Sequence, residues 1–245
     1  MSDIARLYIL DFGLFQVHQN GRIIGIPGYL IQTTDGRNIL VDTGFHPKYA
    51  ADAEAATLED QLESFGRVVT LTDENLPQAQ LAKIGLQQSD INLLIMTHTD
   101  IDHVGSIDAF DDVPIVIHKD ERAYGRPRYW GDQQPLSWPE TDYELINQDS
   151  ELLPGLKLIT SSGHAPGHLS LLLELPETGP VLLMGDAIGR PEEIELGFTG
   201  SWNEQMARES GAKLMQIAEQ TNAFIVYGHD PEQWPTLKKA PDFYS

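Results

Sequence analysis

The sequence contains no cysteine. Structural disulfides, thiolate zinc sites and cysteine nucleophiles are therefore excluded, and any metal site must draw on His, Asp and Glu. A chain without disulfides fits a reducing compartment, and a cytoplasmic location is expected. Basic residues are scarce: 16 Lys and Arg stand against 37 Asp and Glu, a formal net charge of −21. Such a balance opposes phosphate backbones, so nucleic acid is not an expected partner, and most of the acids read as a solvated surface. No run approaches the ~20 apolar residues of a membrane span, so no membrane association is expected. The opening apolar stretch is short and broken at Asp11, unlike a secretory leader. There is no Gly-x-Ser-x-Gly elbow, low-complexity tract or linker, and residues 1–245 read as a single domain large enough to bury a core unaided.

What the chain does contain is a series of apolar runs. Residues 5–17 and 22–41 are rich in Ile, Leu, Val, Phe and Tyr and are punctuated by Gly13, Gly21, Gly28 and Thr34-Asp35-Gly36, the pattern of hairpin strands. The second run ends in Val41-Asp42-Thr43-Gly44, a buried strand delivering an acid into a turn. Residues 46–75 are polar and predict a helix within a long excursion, and Leu76 to Ile84 predicts a short helix closed by Gly85. Strands are expected at Ile91 to Met96, Val113 to His118, Leu156 to Thr160 and Ala223 to Tyr227. A hairpin is expected from Leu169 to Met184, and residues 202–219 carry apolar positions at helical spacing. Runs of strands separated by helices imply an α/β fold of layered sheets with helices outside.

Directly after the strand ending at Met96 comes His98-Thr99-Asp100-Ile101-Asp102-His103. Three side chains at alternate positions plus a neighbouring histidine place four nitrogen or oxygen donors on one turn. Any one of these histidines, taken alone, is an ordinary surface or core residue. Desolvating two acids and two imidazoles together, however, is costly unless a cation or hydrogen bonds compensate. Three more segments repeat the grammar of an apolar strand ending in a donor preceded by glycine: Gly163-His164, Gly185-Asp186 and Gly228-His229. His168 reads as a non-ligand, and His18, His46 and His118 as surface or pocket residues without partners.

In order and context these segments resemble the metallo-β-lactamase superfamily, whose pattern is His-x-His-x-Asp-His followed by a distant His, an Asp and a final His. The Asp42-Thr43-Gly44 turn is similar as well. The resemblance implies a four-layer αβ/βα sandwich and two divalent metal ions, Zn with Mn or Fe as alternatives. It implies His98 and His164 on the first ion, Asp102, His103 and His229 on the second, Asp186 bridging them, and Asp42 supporting the site from behind. One position departs from the pattern: Asp100 stands where the superfamily has its second histidine. Its shorter arm and negative charge change what the first ion meets.

Within the superfamily the chain resembles the N-acyl homoserine lactonase group, through Leu7 to Gly13, Pro27 to Ile31, Gln78 to Leu86, Gly228 to Trp234 and Ala240-Pro241. The implied activity is quorum-quenching hydrolysis of a small-molecule lactone or ester, with a metal-bridging hydroxide attacking the carbonyl and Asp102 or Asp186 assisting proton transfer. A tyrosine often found three residues after the bridging aspartate is replaced by Gly189. Tyr29, Tyr124 and Tyr129 are the candidates to take its place, and the aromatic stretch from Tyr124 to Trp138, with Trp130, is a candidate pocket lining. Thioester or phosphoester hydrolysis and a non-catalytic metal-binding role remain as alternatives. The sequence leaves monomer and homodimer equally open.

Overall fold

Apolar runs such as Ile39-Leu40-Val41 and Leu94-Ile95-Met96 do not alternate with polar residues, because both faces of their sheet are covered. In the computed structural model, which describes residues 2–245, Ile39, Val41 and Ile95 point into one buried cluster while Leu40, Leu94 and Met96 point into another. Successive side chains of a strand go to opposite faces, so one unbroken run feeds two cores.

The first sheet contains β1 (Ile4–Val17), β2 (Ile23–Thr33), β3 (Asn38–Val41), β4 (Gly66–Thr70), β5 (Leu93–Met96), β6 (Ile115–His118) and β7 (Tyr143–Ile146). Their order is β4-β1-β2-β3-β5-β6-β7, with β3, β5, β6 and β7 parallel. The second sheet contains β8 (Ser150–Leu153), β9 (Leu156–Thr160), β10 (Leu169–Leu175), β11 (Gly179–Gly185) and β12 (Phe224–Tyr227), in the order β12-β11-β10-β9-β8. The sheets face each other through Leu7, Ile31 and Val116 from one and Leu158, Leu171 and Leu183 from the other. Helices Lys48–Ala51, Ala53–Glu59, Pro77–Ala82 and Ile101–Val104 cover the outer face of the first sheet through Tyr49, Ala56, Leu81, Ile101 and Val104. The helix Glu204–Thr221 covers the second through Ala207, Leu214 and Ala218, packed on Leu182 and Met184. The layers therefore run helix, sheet, sheet, helix, as expected of a four-layer αβ/βα sandwich.

Three strands were not expected from sequence. The excursion at 46–75 holds two short helices and then β4, and β7 and β8 follow the Tyr124 to Trp138 region. Each is short and largely exposed on at least one face, so none carries a strong apolar signature. Among the described residues no helix is long and apolar enough to cross a membrane.

Candidate metal centre

The donors gather where strands of both sheets end. After β5, Thr97 and His98 lead to Asp100, which starts the helix Ile101–Val104 that carries Asp102 and His103. The turn is tied down by Thr43, whose N–H and hydroxyl both donate to the His103 carbonyl, at 2.7 and 3.0 Å. Asp186 follows β11, His229 follows β12, and His164 sits in the loop joining β9 to β10.

Glycine is required before two of these donors. Gly185 has φ +54°, and a Cβ there would lie 2.7 Å from His168 Nε2. A Cβ on Gly228 would lie 2.5 Å from the Gly185 carbonyl oxygen, so the two strand ends approach this closely because residue 228 lacks a side chain.

All seven side chains singled out in the sequence converge, and they divide into two foci. At the first, His164 Nε2 lies 3.1 Å from Asp100 Oδ2 and 3.4 Å from Asp186 Oδ2, with His98 Nε2 at 3.7 and 3.9 Å from the same two oxygens. At the second, the other Asp186 oxygen, Oδ1, lies 3.1 Å from His229 Nε2 and 3.4 Å from His103 Nε2. Asp102 Oδ2 completes that group at 3.5 Å from His229 and 3.7 Å from His103. The two oxygens of one carboxylate are thus shared between two sets of donors, each of a size to hold an ion.

Three of these atoms, His98 Nε2, His103 Nε2 and Asp186 Oδ1, are buried without a hydrogen-bond partner. Each such atom costs about 1–3 kcal/mol when left unpaired. Divalent cations at the two foci would satisfy all three, and imidazole and carboxylate donors suit Zn, Mn or Fe. The acids and imidazoles also shift one another. Burial alone would raise the Asp186 carboxyl, yet the His229, His103 and His164 rings hold it well below the usual carboxylate range. Burial works against protonation of His229, but Asp186 and Asp102 raise it to about 9. His98, buried and beside His103, is pushed down.

Asp42 stands behind the second focus. Its Oδ2 lies 2.8 Å from His103 Nδ1 and accepts the Thr97 hydroxyl, and its Oδ1 accepts the Thr97 N–H. That directs His103 Nε2 inward, the arrangement by which outer carboxylates orient metal-bound histidines.

Sequence reasoning set aside His168, which is fully buried and accepts the Asp186 N–H. Its partners, the Asp186 N–H and the Ser161 hydroxyl, lie 18 and 7 residues away in sequence. His118 is buried and borders a separate pocket, with its Nδ1 accepting the Asp120 N–H. His18 is exposed and His46 partly buried.

A cavity opens onto both foci. Phe15, Ile24, Phe45, Leu62, Phe65 and Trp130 form its apolar wall, with Arg22, Arg190 and Glu193 beside Gly189. Of the aromatic stretch, Trp130 lines this cavity. None of the three candidate tyrosines does. The Tyr29 hydroxyl is buried without a partner, Tyr129 donates to Asp60, and Tyr124 is exposed. The space beside Gly189 is taken by Glu193, whose carboxylate accepts the Gly189 N–H at 2.8 Å and would lie 3.1 Å from a Cβ there.

Comparison with known proteins agrees with this geometry. The sequence profile of the metallo-beta-lactamase superfamily matches residues 25–229. The N-acyl homoserine lactonase AiiA of Bacillus thuringiensis subsp. kurstaki is 31% identical over 230 residues, covering 91% of this chain and 89% of that protein. The N-acyl homoserine lactonase AttM of Azorhizobium caulinodans is 32% identical over 279 aligned positions, covering 100% of both. A crystal structure of a B. thuringiensis AiiA variant with N-decanoyl-L-homoserine bound at the active site superposes with a TM-score of 0.86 at 26% identity, covering 100% of both chains. With two sheets packed between helices and the donor segments in this order at the strand ends, the chain belongs to the metallo-β-lactamase superfamily.

Proposed function

We propose that the protein is a metal-dependent hydrolase that opens the ring of N-acyl homoserine lactones, using two divalent ions held by His98, Asp100, Asp102, His103, His164, Asp186 and His229. The observation that carries this reading is the division of the Asp186 carboxylate, one oxygen to each focus. The lactonase relatives support the substrate class. A related structure, 26% identical with a TM-score of 0.84, holds the product N-hexanoyl-L-homoserine at its catalytic metal centre. Residues 1–245 act as one domain in this reading, with zinc as the favoured metal, and the site of action is the cytoplasm.

When bound, two divalent ions supply an acidified water as nucleophile and positive charge opposite the developing oxyanion. The chain supplies the rest. His98 and His229 just beyond strands, His103 on the helix Ile101–Val104 and His164 in the β9–β10 loop fix the two foci, which sets the geometry of attack in advance. Asp102 and Asp186 both border the cavity. Asp186 meets four imidazoles and Asp102 two, so Asp102 has the freer oxygen to take the proton of the nucleophile. That proton passes to the ring oxygen as its bond to the acyl carbon breaks, leaving a hydroxy acid. The apolar wall receives an acyl chain and excludes water from it.

Elemental analysis of protein purified without added metal, followed by assay on N-acyl homoserine lactones, simple lactones and acyl-glutathione, tests the proposal. Two ions per chain and preferential turnover of the N-acyl homoserine lactones are expected. Retained turnover in chelated, metal-free protein overturns it. Turnover restricted to acyl-glutathione replaces the lactone with a thioester.

A further inference from the structure

An aspartate in place of a histidine ligand brings a shorter arm and an added negative charge to the first focus. Two residues remote in sequence meet both problems. Arg128 Nη1 lies 3.5 Å from Asp100 Oδ1 and 3.7 Å from Glu121 Oε1, buried between the two carboxylates and hydrogen-bonded to neither. The opposite oxygen of Asp100, Oδ2, is the one that faces His164 and His98. The guanidinium therefore holds one oxygen of Asp100 back and leaves the other aimed into the focus.

Arg128 is itself fixed. Its N–H donates to the Thr99 hydroxyl at 3.1 Å, and the Tyr129 N–H donates to the Thr99 carbonyl at 2.8 Å, so the segment is laid along the residue preceding Asp100. The same Thr99 hydroxyl donates to Glu121 Oε2 at 2.6 Å. Glu121 is 0% exposed, and its Oε1 accepts the Gly167 N–H from the loop that carries His164. Thr99, Arg128 and Glu121 thus form a closed circuit joining the neighbours of two first-focus donors.

We propose that Arg128, backed by Glu121, is a positioning residue that makes Asp100 workable as a ligand. It gives the first focus the donor set of the second: two imidazoles, one terminal carboxylate and a share of Asp186. The inference rests on the two-ion reading above. Arg128 neutralises the charge that Asp100 adds and selects single-oxygen binding, and neither service is needed by a histidine. The pairing thus answers to the aspartate at position 100.

The test is a double-mutant cycle read by metal binding, with Arg128→Met, Asp100→His and the double variant loaded with Co(II) and followed by visible absorption and elemental analysis. The wild type is expected to bind two ions. Arg128→Met is expected to loosen one of them by roughly 10–100-fold, the usual range for an outer partner of a ligand. With histidine at position 100, the same replacement is expected to leave both affinities unchanged. Wild-type affinity in Arg128→Met, or an equal loss in both backgrounds, overturns the inference. Fewer than two ions in the wild type defeats the two-ion reading instead. If Arg128→Met does not fold, Arg128→Lys, which keeps the charge but not the fork, is read through the same cycle. A loss confined to the aspartate background supports the pairing, and no loss or an equal loss overturns it.

Discussion

The ring of His168 accepts the backbone N–H of Asp186 at 3.0 Å through Nε2, while its Nδ1 lies 2.8 Å from the Ser161 hydroxyl. Burial pushes this imidazole down to about 3, so it is neutral, as an acceptor must be. His168 thereby fixes the main chain at the one residue whose two oxygens face both foci, without being a donor to either. Replacing His168 with Leu leaves the Asp186 N–H unpaired, while the Ser161 hydroxyl keeps Ser170 as a partner at 2.8 Å. Metal affinity is expected to fall roughly 10–100-fold, and stability of the metal-free protein by about 1–3 kcal/mol. Ion content after dialysis and denaturant unfolding measure the two effects. Unchanged ion content would show that Asp186 needs no such anchor.

Asp42 offers a second test from behind the site. Both of its oxygens act only as acceptors, toward Thr97 and His103. Asn at this position tolerates the left-handed backbone, φ 60°, that Asp42 adopts, so the replacement leaves the turn alone. It substitutes a donor for one acceptor and places N–H against N–H. Asp42→Asn is expected to weaken one ion by roughly 10–100-fold while the other is kept. Stepwise loss during chelator titration checks this, and simultaneous release of both ions at wild-type affinity would contradict it.

These two residues mark what was legible in the sequence. The buried strands announced themselves because a sheet covered on both faces needs continuous apolar runs, and β3, β5 and β6 have them. The donors announced themselves because each follows such a run directly. The edge strands β4, β7 and β8 did not, since an exposed edge leaves little apolar signal. Nor did Arg128, Glu121 or His168. Each meets its partner only after segments distant in sequence have packed, and nothing within a few residues of Arg128 indicates that Asp100 lies beside it. The tyrosine candidates failed for a similar reason: being aromatic and near the donor segments does not decide which way a hydroxyl points.

Gly189 stands where the lactonase group often carries a tyrosine, and Glu193 fills the adjoining space. The polar donors that do line the cavity there are Arg22 and Arg190, the latter with its Nε 3.7 Å from Glu193 and its Nη1 3.2 Å from Glu192. Guanidinium N–H groups at a cavity wall are donors, and the carbonyls of a lactone are acceptors. A hydrogen bond to a charged group contributes about 1.5–3 kcal/mol, so Arg190→Ala is expected to raise KM for an N-acyl homoserine lactone roughly 10–100-fold with a smaller change in kcat. Steady-state kinetics decide it. A fall in kcat at constant KM would place Arg190 in the transition state rather than in binding.

His118 provides a pH signature away from the metal donors. It is buried, its Nδ1 accepts the Asp120 N–H at 3.2 Å, and burial lowers its pKa from 6.5 despite the neighbouring Asp120 carboxylate. Below 6.5 the unfolded chain therefore binds a proton at this position that the folded chain resists. Folding stability from His118 is complete above 6.5 and is lost as pH falls through the lower folded value. Asn at position 118 can accept the same N–H but does not titrate. The stability difference between wild type and His118→Asn, measured by denaturant unfolding across acidic pH, is expected to shift against the wild type as pH drops below 6.5. Histidines common to both proteins cancel in this difference. A shift in favour of the wild type would mean that the folded ring prefers its proton, and that the Asp120 carboxylate outweighs burial.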